Sequence, residues 1–159
     1  MQNFLSPLIT TVYTAMLNLF TYGSLMCSDI MFQVASCQPD FVPASLKDYF
    51  RSRIRGEEYP GIIAQPGSEV AGVLYLDLPP SAMERLDRFE GRQYLRREVQ
   101  VVTEGRGLCA AAVYVIHPEH KELLTGEPWS YEHFIAVGKS RFLSAYLGFQ
   151  KIPPGSAGE

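Results

Sequence analysis

Four apolar-rich stretches with strand-like patterning occupy the middle of this chain, at residues 46–54, 70–78, 97–102 and 108–116. Side chains of a β-strand point alternately to opposite faces, so this patterning predicts strands. Turn signals stand between neighbours, Gln65-Pro66-Gly67-Ser68 and Glu104-Gly105-Arg106-Gly107. A parallel crossover takes about a dozen residues or more, whereas an antiparallel pair needs only a tight turn, so antiparallel pairing dominates. Short strands in an open sheet leave unpaired backbone along the edges, and curling into a small barrel removes those edges.

Helical signals flank the strands. Pro79-Pro80 forbids an earlier start, Ser81 is a candidate cap, and Glu84 three residues later completes a capping box, predicting a helix over 82–90 that Gly91 stops. Ser28 is a candidate cap for a short helix through about residue 34, ended by Gln38-Pro39-Asp40. Residues 129–134 and 140–148 predict two further helices with aromatic packing stripes, the second closed by Gly148. Strand runs with helices before, between and after them define an α+β chain.

With 159 residues, 47% of them apolar and 19% charged, the chain suits one domain around one core. We expect that domain over 16–150, with residues 1–15 as an extension and 151–159 as a flexible tail. Residues 1–15 are apolar and threonine-rich, lack a positive leader and are too short to span a bilayer, so no targeting segment or membrane partner is expected. The net charge is −3 and the basic residues are scattered. The cluster Arg51-Ser52-Arg53-Ile54-Arg55 reads as a solvated strand face, so no nucleic-acid partner is expected. Cys27, Cys37 and Cys109 show no Cys-x-x-Cys spacing, which fits a reducing cytoplasm. His117-Pro118-Glu119-His120 matches neither a helical i,i+4 pair nor a zinc motif, so surface histidines on a loop, and no metal, are expected.

Two elements carry chemistry. Leu19-Phe20-Thr21-Tyr22-Gly23-Ser24-Leu25-Met26 is a strand running into a glycine turn, where consecutive backbone N–H groups can cradle an anion, although Gly-Ser pairs also end many ordinary strands. In Leu86-Asp87-Arg88-Phe89-Glu90-Gly91, Glu90 lies seven residues after Met83 and four after Leu86, so it shares their buried helix face. Desolvation and the negative end of the helix dipole both disfavour its ionisation, which raises its pKa toward the range useful to a general acid or base. Pairing with Arg96 or Arg97, or a frayed helix end open to water, is the competing reading. Cys27 lies close to the glycine turn, but no histidine is placed beside it, so it reads as a small core or rim thiol.

Together these segments resemble the gamma-glutamylcyclotransferase family, including its AIG2-like, gamma-glutamylamine cyclotransferase-like branch, whose marks are a Tyr-Gly-Ser/Thr-Leu loop and a Leu-Asp-x-x-Glu-Gly helix end. Here they are Tyr22-Gly23-Ser24-Leu25 and Leu86 to Gly91. The likeness extends in order through Ala44-Ser45-Leu46, Tyr59-Pro60, the stretch 70–75 and the stretch 94–99, covering roughly residues 17–116. Met16 directly precedes Leu17, where family members begin, so residues 1–15 also fit an upstream start codon.

The resemblance implies a small mixed, mainly antiparallel barrel with flanking helices, and conversion of a gamma-glutamyl amide to 5-oxoproline plus free amine. It assigns Glu90 as general base and then general acid, the amides of Gly23, Ser24 and Leu25 to an anionic or carbonyl oxygen of the substrate, and Tyr22 to the pocket wall. Tyr94 and Arg96 follow closely enough to orient a substrate carboxylate at the rim, though a structural Tyr and a solvated Arg fit equally. The partner is then a small gamma-glutamyl molecule, with no cofactor, and a monomer is expected. A non-catalytic binder of small anions and a related amide hydrolase are the alternatives.

Overall fold

The computed structural model describes residues 15–145. The expectations for a leading extension, a flexible tail and a Gly148 stop lie outside the described residues. The chain runs through β1 (Leu17–Thr21), a 3-10 turn (Ser24–Met26), α1 (Ser28–Ala35), β2 (Phe41–Ile54), β3 (Pro60–Leu78) and α2 (Pro80–Glu90). After a second 3-10 turn (Gly91–Gln93) come β4 (Tyr94–Thr103), β5 (Gly107–Ile116), a third 3-10 segment (Pro118–Leu123) and β6 (Leu124–Pro128). A C-terminal helical run follows, Tyr131–His133, a π-helical stretch Phe134–Gly138, and Lys139–Ala145.

β3 pairs with both β1 and β2, so the order β3-β1-β5-β4-β2 closes on itself as a five-stranded barrel, and β6 is added beside β2. Among the described residues, only β1 and β5 run parallel. They are far apart in sequence, so their pairing needs no tight connection. This is the mixed, mainly antiparallel barrel with flanking helices that the sequence and the resemblance imply.

Alternation along each strand builds two cores. Phe20, Leu46, Ile62, Val70, Leu74, Val101, Val113 and Val115 form one cluster. Leu19, Tyr75, Leu78 and Tyr114 join Ile30 and Met31 of α1, Met83 and Leu86 of α2, and Phe134 and Phe142 of the helical run in the other. β1 is therefore buried on both faces, Leu19 at 0% exposure and Phe20 at 1%. Gly72 is required where β3 passes β1, because a Cβ there would run into the Thr21 carbonyl oxygen.

Several local expectations are corrected. Gln65-Pro66-Gly67-Ser68 is not a hairpin turn but a bulge inside β3, lying opposite Asp48, where the β2–β3 register shifts. Gly67 there has φ +90° and its N–H donates to the Asp48 carboxylate at 2.9 Å. The β2–β3 connection instead occupies residues 55–59, since both strands extend beyond the apolar stretches that marked them. α2 starts at Pro80 with Pro79 as its cap, so Ser81 lies inside the helix and makes no cap. Proline at the first helical position already suits the missing N–H and fixed φ of a helix start. Cys27, not Ser28, caps α1.

The expected helix at 129 begins at Tyr131, where the Ser130 hydroxyl accepts from the His133 N–H at 3.1 Å. His117-Pro118-Glu119-His120 opens a 3-10 segment rather than a loop, with His117 Nδ1 accepting from the Glu119 N–H at 3.0 Å. The solvated-face reading of the basic cluster holds for exposed Arg53 and Arg55 but fails for Ser52 and Ile54, which are buried, and for Arg51. Among the described residues, no helix is long and apolar enough to cross a membrane.

Candidate active site

β1 delivers Tyr22 to the barrel mouth, and the chain then tightens into the Ser24–Met26 turn, where Met26 N–H and Cys27 N–H donate to the carbonyls of Gly23 and Ser24 at 2.9 and 3.0 Å. The leading N–H groups of such a turn have no acceptor within it and remain available to an incoming oxygen. Neighbours hold the turn in place. The Tyr75 hydroxyl donates to the Leu25 carbonyl at 2.8 Å. Arg51 Nη1 donates to the Tyr22 carbonyl at 2.8 Å and the Ala71 carbonyl at 3.1 Å, while its guanidinium lies 5.3 Å from the centre of the Trp129 ring. Glycine is needed at position 23 for close approach, since a Cβ there would stand 2.7 Å from Cδ of Pro60.

A cavity of about 320 Å³ opens against this turn. Tyr22, Gly23, Ser24 and Leu25 line one part of it, and Glu90 reaches it from the last turn of α2. Glu90 keeps partial solvent contact as a residue, while its carboxyl group is enclosed by protein. Burial first, then the nearby Asp87 charge, push the Glu90 carboxyl up to about 8. Among the described residues no cation forms an ion pair with it, so the Arg96 or Arg97 pairing is not made. Tyr22 sits close enough that the Glu90 charge, after burial, raises its phenol well above the usual range.

Asp87 explains the carboxylate three residues before Glu90. It accepts from the Tyr114 hydroxyl at 2.7 Å and lies 3.2 Å from Arg96 Nε. Arg96 is thus turned to Asp87 and is not among the residues lining the cavity, contrary to the rim position considered for it. Tyr94 does line it, with its hydroxyl donating to the Pro60 carbonyl at 2.8 Å. Tyr114 also lines the cavity, and its backbone carbonyl accepts from the Tyr22 hydroxyl at 2.6 Å. One chain of contacts therefore runs from the glycine turn through Tyr22 and Tyr114 to Asp87 and the helix bearing Glu90.

Sequence reasoning missed Tyr114, Arg92 and Phe142 as lining residues and Arg51 as a support for the turn. Tyr59 stood within the Tyr59-Pro60 pair without a role, and here its hydroxyl donates to Gln93 Oε1 at 3.4 Å. Cys27 is buried at 5% exposure with Sγ 3.5 Å from the Tyr131 hydroxyl, and burial pushes its thiol up, the opposite of what a nucleophile needs. Among the described residues no cluster of His, Cys, Asp and Glu could hold a metal ion.

The family model "Gamma-glutamyl cyclotransferase, AIG2-like" matches residues 19–131. AIG2-like protein C of Arabidopsis thaliana is 30% identical over 140 residues, covering 86% of this chain and 81% of its own. AIG2-like protein A of the same plant is 27% identical over 146 residues, covering 89% and 88%. The solution structure of an Arabidopsis thaliana protein superposes with a TM-score of 0.64 at 28% identity, over 82% of this chain and 88% of that one. A structure described as a gamma-glutamyl cyclotransferase superposes with a TM-score of 0.56 at 21% identity, over 67% and 75%, a likeness of fold.

Proposed function

The chain belongs to the gamma-glutamyl cyclotransferase, AIG2-like family, and from that premise we propose that it converts a gamma-glutamyl amide to 5-oxoproline and a free amine. The observation that carries this reading is Glu90, an enclosed carboxyl without a cationic partner among the described residues, facing the same cavity as the glycine turn.

The substrate brings its own nucleophile, so the protein's task is to fold it and move protons. Holding the α-amine against the γ-carbonyl supplies the large advantage of an intramolecular reaction, an effective molarity of up to about 10⁵–10⁸ M. Glu90 as carboxylate takes a proton from the α-ammonium, the freed nitrogen attacks the γ-carbonyl carbon, and negative charge builds on the carbonyl oxygen. Amides of Gly23, Ser24 and Leu25 stabilise that oxygen, with Tyr22 as wall. Collapse breaks the bond to the departing nitrogen as Glu90 returns its proton there. Attack leaves a second proton on the ring nitrogen. Glu90, again a carboxylate after the first return, takes it and passes it to the neutral amine, so α-ammonium plus amide becomes lactam plus ammonium with no net acid or base. A carboxyl titrating near 8 suits both halves of this task.

We extend the reading to a monomer acting in the cytoplasm without a nucleic-acid or membrane partner, a setting supported by three unpaired cysteines. Mass-spectrometric detection of 5-oxoproline, comparing wild type with Glu90→Gln on gamma-glutamyl dipeptides, amines and glutathione, tests the reaction. Product from wild type alone is expected. Equal product from Glu90→Gln would remove the mechanism, and none from either favours a binding module.

A further inference from the structure

The residues lining the cavity are of two chemical kinds. Glu90 and the Tyr22–Leu25 turn bring a carboxyl and backbone polar groups, and Tyr59, Phe89 and Phe142 bring aromatic surface. Tyr59 and Phe142 meet edge to face with ring centres 6.4 Å apart, and Phe142 is braced by Phe134 at 5.7 Å, so this wall is preformed. Among the described residues lining the cavity, the charged ones are Glu90 and Arg92. Arg92 stands exposed on the turn two positions after Glu90.

A gamma-glutamyl substrate always carries one α-carboxylate. If the amine is an amino acid or peptide, it brings a second one, for which the described residues lining the cavity offer no second cation, and burying an unpaired carboxylate is costly. One lining cation matches one carboxylate. The volume, about 320 Å³, falls within the span of small-molecule sites, roughly 300–1,000 Å³, and has room for a glutamyl group and one ring.

Resting on the cyclotransferase reading, we propose that the amine released is an apolar, ring-bearing amine without a carboxylate, seated between Tyr59, Phe89 and Phe142, while Arg92 holds the substrate's α-carboxylate. Specificity then comes from aromatic contact on the amine side and from the cost of an unpaired second charge.

Four substrates separate ring from carboxylate: the gamma-glutamyl conjugates of phenethylamine, ethylamine, phenylalanine and glycine. The expected kcat/KM for the phenethylamide exceeds that of the ethylamide and that of the phenylalanine conjugate by at least about tenfold each. Phe142→Ala and Phe89→Leu should each narrow the phenethylamide-to-ethylamide ratio, and the second, at a half-buried position, guards against a result due to misfolding alone. Arg92→Met should raise KM for all four alike. Preference for either carboxylate-bearing conjugate over its carboxylate-free counterpart, or a ratio untouched by both aromatic substitutions, overturns the proposal. Absence of 5-oxoproline from all four counts against the cyclotransferase reading. In that case calorimetric titration of wild type decides the amine side separately: tightest binding of the phenethylamide upholds it, and binding of none, or best binding of the glycine conjugate, ends it.

Discussion

Replacing Glu90 by glutamine should make the protein more stable as the pH rises, while abolishing turnover. The Glu90 carboxyl titrates from an ordinary value of 4.5 to about 8 in the folded chain. Below 4.5 both folded and unfolded chains carry the proton, and the site imposes no penalty. Between 4.5 and 8 the folded chain holds a proton that the unfolded chain has released, so stability falls as pH rises, by up to about 1.4 kcal/mol per unit. Above 8 the loss is complete at roughly 5 kcal/mol, which water reaching the carboxyl through the cavity reduces to an expected value of about 2–4 kcal/mol. Glutamine is neutral throughout, so the stability of Glu90→Gln relative to wild type should climb by that amount from pH 4 to pH 9. Trp129 is the chain's single tryptophan and is buried at 7% exposure, so its fluorescence reports urea unfolding of both proteins. Other titrating groups cancel in the difference. A difference flat to within about 0.5 kcal/mol between pH 5 and pH 9 would show that Glu90 titrates as a solvated carboxyl and would refute the reasoning.

Further outcomes follow from the same geometry. The rate constant kcat/KM should rise through an acid limb centred near pH 8, because it reports the free enzyme's base, and an inflection near 4.5 would contradict the enclosed carboxyl. Gly23→Ala forces a Cβ to within 2.7 Å of the Pro60 ring, so a stability loss of about 1–3 kcal/mol and a displaced turn with little residual activity are expected in denaturation and product assays. Ser24→Ala should cost less than about threefold in kcat, because the contact proposed for the reacting oxygen is made by backbone amides rather than by the hydroxyl, and a far larger loss in steady-state kinetics would reassign that contact.

The site was legible in sequence where its parts are local. Tyr22 to Leu25 form one turn, and the spacing of Met83, Leu86 and Glu90 on a single helix face suffices to aim Glu90 inward. Arg96 was not legible, because its choice of Asp87 over the cavity depends on where β4 runs beside α2. Nor was Tyr114, which meets Asp87 from 27 residues away. The bulge at Gln65–Ser68 resembled a hairpin turn because proline and glycine mark both, and only the pairing of residues on either side with β2 tells them apart.

By itself the sequence determined the strand periodicity, the helix ends at Gly91 and near Pro79-Pro80, the inward direction of Glu90, and the glycine turn, since these depend on residues within a few positions of each other. Tertiary structure alone decided barrel closure, through β3 serving both β1 and β2, along with the Arg51 and Tyr75 bonds that hold the turn. It also decided the raised carboxyl of Glu90, because desolvation and the Asp87 charge act only once distant segments enclose the site.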